Sequence, residues 1–175
     1  MKICTVINVA VVVLLGGSSL CKARLGENAT QSEQRYGKAT DGKASNSFPP
    51  VPSMDEKTYH YQGWIIKAAY LNGIIVAQRY SKKSNYPGGI VLKGDEVRAI
   101  LASEAMGGEW KPRLSANQIQ THVHPSTWIN SNGAVARLTG PPWFSLQVEL
   151  PQVQAYRDAL KDRKEQQRKE SLPPF

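Results

Sequence analysis

The sequence GWIIKAAYLNGIIVAQRY, from Gly63 to Tyr80, decides the fold of this chain. Two runs rich in aliphatic and aromatic residues flank Asn72-Gly73, a pair that suits the positive backbone angles of a type I′ turn. A two-residue loop sets Leu71 opposite Ile74 and fixes which side chains share a strand face. The stretch therefore predicts an antiparallel β-hairpin, with one face of its first strand directed at the core: Trp64, Ile66, Ala68 and Tyr70.

A second hairpin and a helix are predicted further along the chain. Asn132-Gly133 separates two short β-rich runs, residues 127–131 and 134–138. Asp95 and Glu96 suit the first turn of a helix that ends at Gly107-Gly108. The apolar residues of that helix follow 3.6-residue spacing at Val97, Ile100, Leu101 and Ala105.

Residues 144–150 alternate apolar and polar side chains, which predicts a strand with one buried face and one wet face. In this pattern Glu149 lies on the wet face. Pro151 suits the first position of a final helix with a short apolar stripe at Val153, Tyr156 and Leu160. Its later residues are charged, and Lys161–Glu165 and Glu165–Lys169 are predicted ion pairs along it.

These elements predict a small single α+β domain of antiparallel β-hairpins with two helices, covering residues 58–160. A polar segment with a proline-rich stretch at residues 49–52, covering residues 24–57, is expected to be an N-terminal disordered linker. Within it, Asn28-Ala29-Thr30 matches the acceptor pattern for N-glycosylation. Residues 161–175 are expected to form a protruding, charged C-terminal helical tail.

The first 23 residues predict a signal peptide, with Lys2 before an apolar run and small residues before the junction. Cleavage is expected after Ala23, with Ser19 as the second candidate. The apolar run Ile3–Leu15 has thirteen residues, whereas a bilayer span needs about 20. We therefore expect export to the periplasm or the extracellular space, with no stable membrane span after cleavage.

Cleavage at this junction changes the chemistry that the chain can offer. Removing 23 of the 175 residues leaves 152, enough for one domain with its own core. Cys4 and Cys21 leave with the leader, so the mature chain can form no disulfide or thiolate site. Lys2 and Lys22 leave as well, and the net charge falls from +8 to +6. The mature chain is basic, which favours anionic surfaces.

Two sets of residues are candidates for a site. His122 and His124, separated by one residue, would share a strand face and could clamp a divalent ion with His60 as a third ligand. The other candidate is a basic and aromatic surface for binding a partner: Trp143, Tyr80, Lys82, Lys83 and Tyr86.

No catalytic signature accompanies these residues: the scattered acids form no motif, and no Gly-x-Ser-x-Gly elbow is present. We therefore expect an exported, non-enzymatic interaction protein without a cofactor, whose partner is a protein or an anionic envelope polymer. Nucleic acid is not expected. Two alternatives stay open, a metal-dependent hydrolase that uses the His-x-His pair and a purely structural envelope protein.

Overall fold

The structure, a computed structural model, describes residues 24–40, 48, 54–85, 89–113, 126–140 and 144–171. Its centre is a seven-stranded antiparallel sheet with the order β1-β2-β3-β7-β6-β5-β4. The strands are β1 Met54–Tyr61, β2 Trp64–Leu71, β3 Ile74–Lys82, β4 Trp110–Pro112, β5 Thr127–Asn130, β6 Val135–Thr139 and β7 Ser145–Glu149. Within the described ranges, no helix is both long and apolar enough to cross a bilayer.

In the part of the chain that the structure describes, three helices pack on the sheet: α1 Ala29–Tyr36, α2 Gly94–Ser103 and α3 Pro151–Glu170. The main core lies on the sheet face that meets α1 and α2, where Tyr36, Val97 and Leu101 pack with the alternate strand residues Ile66 and Leu146. We call this the core face. A smaller cluster, Phe48, Ala69, Val76, Ala77 and Val153, packs under the start of α3 on the opposite face. The predicted α+β fold of antiparallel hairpins is confirmed.

The hairpin around Asn72-Gly73 is confirmed as β2 and β3. Leu71 pairs with Ile74, and Asn72 and Gly73 have φ angles of 53° and 78°, as a type I′ turn requires. A β-bulge between Ala69 and Tyr70 follows immediately. The predicted inner face is also correct: Ile66, Ala68 and Tyr70 are buried, and Trp64 packs against them half-buried.

This turn gives a direct test of the hairpin. Replacing Gly73 with Val is expected to lower the free energy of unfolding by about 1 kcal/mol or more, because a β-branched residue is strained at positive φ. Urea denaturation measures the loss. The matched control is Gly73→Asn, since asparagine tolerates the left-handed region. Equal stability of Gly73→Val and the parent chain would refute the turn assignment.

The second hairpin is also confirmed, as β5 and β6, but its loop is longer than two residues. Ile129 pairs with Val135, and the backbone N–H of Asn130 donates to Ala134 at 2.8 Å. Of the Asn-Gly pair only Gly133 has positive φ, at 87°. Residues 131–133 therefore form a three-residue loop, which needs a single left-handed residue.

The linker predicted at residues 24–57 contains ordered elements. α1 lies inside it, begins at the N-cap Asn28, and has reciprocal hydrogen bonds between Asn28 and Gln31. Leu25 and Tyr36 are buried in the core, and β1 starts at Met54. The prediction is wrong for these parts because a capping box and two apolar anchors hold the segment on the sheet. Residues 41–47 and 49–53 of the predicted linker lie outside the described residues.

The final helix starts with Pro151 at its first turn, as predicted, and residues 161–170 are exposed. The predicted ion pairs of this tail are not the ones that form in the described chain. Glu165 pairs instead with Arg168 at 2.7 Å, one turn away on the helix. The charged tail therefore extends into solvent and carries its own local pairing.

Candidate functional site

The sequence-predicted site residues fall into two groups. Trp143, Tyr86, His122 and His124 lie outside the described residues. His60 is exposed on β1. In the described ranges, no three His, Cys, Asp or Glu side chains are grouped closely enough to hold a metal ion.

The remaining predicted residues do not form one surface. Tyr80 is only 5% exposed, and its hydroxyl lies 2.8 Å from Oε1 of Gln78 in the core, so its placement at an exposed binding surface is wrong. Lys82 is half-buried, pairs with Glu96 at 2.5 Å and lies over the ring of Trp64. Lys83 is exposed. By alternation Lys82 shares the core face with Tyr80, but it lies over Trp64 and beside α2, where its charge is paired with Glu96.

A group of arginines lies on the other face of the sheet. Arg79 on β3, Arg137 on β6 and Arg157 on α3 surround Glu149, which ends β7. We call these four residues the arginine cluster. The Glu149 side chain has no exposed surface, whereas those of Arg137 and Arg157 are 31% and 32% exposed. The prediction that Glu149 faces solvent is wrong, because the first turns of α3 fold over it.

Hydrogen bonds tie the arginine cluster together. Arg137 donates to Oε2 of Glu149 at 2.9 Å, and Arg157 donates to Oε1. Nε2 of Gln147 also donates to Oε1 of Glu149, at 2.5 Å, while Arg79 donates to Oε1 of Gln147. Gln147 therefore connects Arg79 to the Glu149 carboxylate through hydrogen bonds, and Arg79 does not pair with Glu149 directly.

Positive charge outweighs negative charge within the arginine cluster. Three guanidinium groups surround one carboxylate there, while Glu56 acts on Arg79 and Asp158 acts on Arg137 from outside the cluster. Burial lowers the pKa of Arg79 from the ordinary arginine value; Glu149 and Glu56 oppose this shift, and Arg157 adds to it. Burial likewise lowers the pKa of Arg137; Glu149 and Asp158 oppose this shift, and Arg157 adds to it. Arg79 and Arg137 nevertheless remain cationic, since arginine does not deprotonate in proteins.

Strand register extends this cluster into two rows across the sheet. Lys67, Arg79, Gln147 and Arg137 are neighbours on successive strands. Two residues further along, Ser81, Ser145 and Thr139 form a parallel row, with the hydroxyls of Thr139 and Ser145 2.7 Å apart. Basic side chains that can donate hydrogen bonds thus lie beside hydroxyl groups on one face of the sheet. These side chains are half-buried, whereas Gln147 is buried.

A second unusual group lies on the core face, where Glu104 is fully buried. Its Oε2 accepts the backbone N–H of Leu25 at 2.8 Å, and its Oε1 lies 2.5 Å from the Tyr80 hydroxyl. Burial raises the pKa of Glu104 to about 7, against the lowering effect of both hydrogen bonds. Burial and the adjacent Glu104 also hold the pKa of Tyr80 well above its usual range.

The Tyr80 hydroxyl carries one proton and lies close to two acceptors, Glu104 and Oε1 of Gln78, besides its hydrogen bond with Tyr36. When Glu104 is ionised, Tyr80 donates to it, and Gln78 is satisfied if its amide rotates so that Nε2 donates to Tyr80. When Glu104 is protonated, it donates to Tyr80, which then donates to Gln78. Nε2 of Gln78 has no partner in the arrangement present. The site can therefore hold either protonation state of Glu104.

The comparisons with known proteins identify no family. No protein-family model matches this chain, and no curated protein sequence does. Among solved structures, it has a distant likeness to a cysteine-rich secretory protein from Staphylococcus aureus subsp. aureus Mu50, with 9% identity and a TM-score of 0.36. The match covers 73% of this chain and 45% of that chain, so this chain corresponds to less than half of that protein. At this TM-score the likeness supports no conclusion about function.

Proposed function

We propose that this chain is an exported, non-enzymatic binding protein whose arginine cluster binds an anionic polymer outside the cytoplasm. The observation that supports it is the clustering of three arginines around Glu149, Arg137 and Arg157 by direct ion pairs and Arg79 through Gln147. The fold holds these positive charges in place. The predicted signal peptide supplies the expected location, and the basic mature chain suits an anionic partner.

The partial burial of these arginines favours an anion as ligand. Taking a cation out of water is costly unless a counter-charge compensates for it. Inside the cluster Glu149 is the counter-charge, while Glu56 and Asp158 act on Arg79 and Arg137 from outside it. An anionic group on the ligand would add a counter-charge directly at the guanidinium groups, where solvent screens the attraction less than at an open surface.

The chemistry of the side chains narrows the ligand to oxyanions. A guanidinium group presents its N–H donors in a planar fork that matches carboxylate, phosphate and sulfate oxygens. The row of Ser81, Ser145 and Thr139 adds hydroxyls beside these forks. Because the basic row crosses four adjacent strands, it suits a ligand with several anionic groups in line.

The proposal is tested by measuring how strongly residues 24–175 are retained on a column of immobilised linear polyphosphate. The column is eluted with NaCl. The variant Lys67→Gln/Arg79→Gln is expected to bind about tenfold more weakly, because it loses two cationic groups of the row. Arg79 is chosen because it makes no direct contact with Glu149, so the buried pair stays intact. Thermal denaturation confirms that the variant is folded.

The matched control changes the same charge elsewhere. Lys161→Gln/Lys164→Gln also removes two positive charges, but both residues are exposed on the α3 tail. We expect its affinity to change less than about twofold, since exposed charges are well screened. Equal losses in the two variants would show that net charge alone drives retention. No retention of the parent chain would leave an acidic protein surface as the alternative partner and refute the polymer.

A further inference from the structure

Glu104 is a buried carboxylate whose two hydrogen-bond donors are neutral, a peptide N–H and a phenol. The basic residue that acts on it, Arg35, is already paired with Glu27 at 2.6 Å. Glu27 and Glu104 repel each other, and Oε2 of Glu27 is buried without a partner. Two carboxylates thus share one arginine, and the site lacks one positive charge.

The segment that reaches this site is the N-terminal part of the described chain. Leu25 is 4% exposed, and its backbone nitrogen lies 2.8 Å from Oε2 of Glu104. The next residues are fixed to β3, where Gly26 N–H donates to Ile75 and Ile75 N–H donates to Glu27. The Leu25 nitrogen is therefore held against the buried carboxylate by contacts on its C-terminal side.

The residue before Leu25 is tied to this segment by its backbone carbonyl, which accepts the N–H of Glu27 at 3.2 Å. Arg24 is exposed, so the chain enters the site from solvent at that point. If the bond between Arg24 and Leu25 were broken, the Leu25 nitrogen would become an α-ammonium without having to move. Its pKa in water is about 7.7 to 8, and a carboxylate partner would keep it charged at neutral pH.

From this geometry we infer that the Arg24–Leu25 bond is a processing site, and that the α-ammonium of Leu25 forms a buried ion pair with Glu104. Hydrolysis adds one water, leaving the carboxylate on Arg24 and the amine on Leu25, which takes up a proton. The enzyme is a peptidase that recognises a basic residue, acting before Leu25 docks, since docked Leu25 is buried. This processing removes one residue more than the expected cleavage after Ala23. The inference does not depend on anion binding.

The test compares chains that start at Arg24 and at Leu25, each released from a fusion that leaves no extra residue. At pH 7 the chain starting at Leu25 is expected to melt about 5 °C higher, because an uncompensated buried carboxylate gains its cation. The gain should vanish in Glu104→Gln and when the Leu25 amine is acetylated. Glu104→Gln keeps a neutral amide in place of the carboxylate, and the acetylated Leu25 keeps a neutral N–H donor. Each control therefore removes a charge but leaves a hydrogen-bonding group at the site.

The mass of the exported protein provides the second readout, and a start at Leu25 is expected. Equal melting temperatures for the two chains, or a gain that persists in Glu104→Gln, would overturn the ion pair. An exported chain that starts only at Arg24 would overturn the processing site. Polyphosphate retention should be the same for both chains, so failure here is distinguishable from failure of the proposed function.

Discussion

Replacing Glu149 with Ala is expected to lower the free energy of unfolding by about 2 to 3 kcal/mol. Removing one partner of a buried ion pair costs about 3 to 5 kcal/mol when the charge left behind is fully buried. Here Arg137 and Arg157 are about one-third exposed, so solvent reduces that cost. The variant also leaves Nε2 of Gln147 without its acceptor.

Urea denaturation at pH 7 measures this loss. The matched control is Glu165→Ala, which removes a carboxylate paired with Arg168 on the exposed tail. That change is expected to cost less than about 0.5 kcal/mol. A loss for Glu149→Ala no larger than that of the control would mean that Glu149 does not hold the arginines in place, and the arginine cluster would lose its structural basis.

The second large effect is a dependence of stability on pH that comes from Glu104. Its pKa is raised to about 7 in the folded chain, from an ordinary value of 4.5. Between these values the folded state binds more protons than the unfolded state. Stability from this group is therefore fully present below about pH 4.5 and is lost as the pH rises through about 7. The difference amounts to about 3 kcal/mol.

Several groups face Glu104 and set the size of this effect. Tyr80 on β3 and the Leu25 N–H stabilise the ionised form, and so does Arg35 on α1, while Glu27 opposes it. Tyr36 faces the same site through Tyr80. Because burial outweighs these contacts, the net shift of the Glu104 pKa is upward.

The contribution of Glu104 is isolated by measuring the free energy of unfolding from pH 4.5 to 8. The chain that starts at Arg24 is compared with its Glu104→Gln variant. The difference between the two curves removes other titrating groups, including the three histidines. Relative to the variant, the parent chain should lose stability as the pH rises. Parallel curves would contradict the raised pKa. A parent chain that gains stability with rising pH would show that the Glu104 pKa is depressed.

The parts of the fold that depend on neighbouring residues could be predicted from the sequence. The turn at Asn72-Gly73 fixes its hairpin within a few residues, and the spacing of Val97 and Leu101 marks the inner side of α2. The helix α1 was missed although its signal was present. Asn28 followed by Gln31 is a capping pattern, but the polar composition around it favoured a linker.

The candidate sites could not be predicted, because their contacts join distant parts of the chain. Glu104 meets the N–H of Leu25, 79 residues away, and Gln147 meets Arg79, 68 residues away. Alternation along β7 places Glu149 on the sheet face opposite the core face, but it does not place that side chain in solvent. Whether that face is wet depends on α3, which folds back over it.

The arginine cluster is tested most directly by a ¹H–¹⁵N NMR titration of residues 24–175 with linear polyphosphate, observing the arginine Nε–Hε signals. We expect saturable shifts at Arg79, Arg137 and Arg157, and at the backbone of the paired strands β3, β6 and β7. The tail arginines Arg163 and Arg168 should move little. Shifts confined to the tail, or no saturable shift at the cluster, would contradict anion binding at this site.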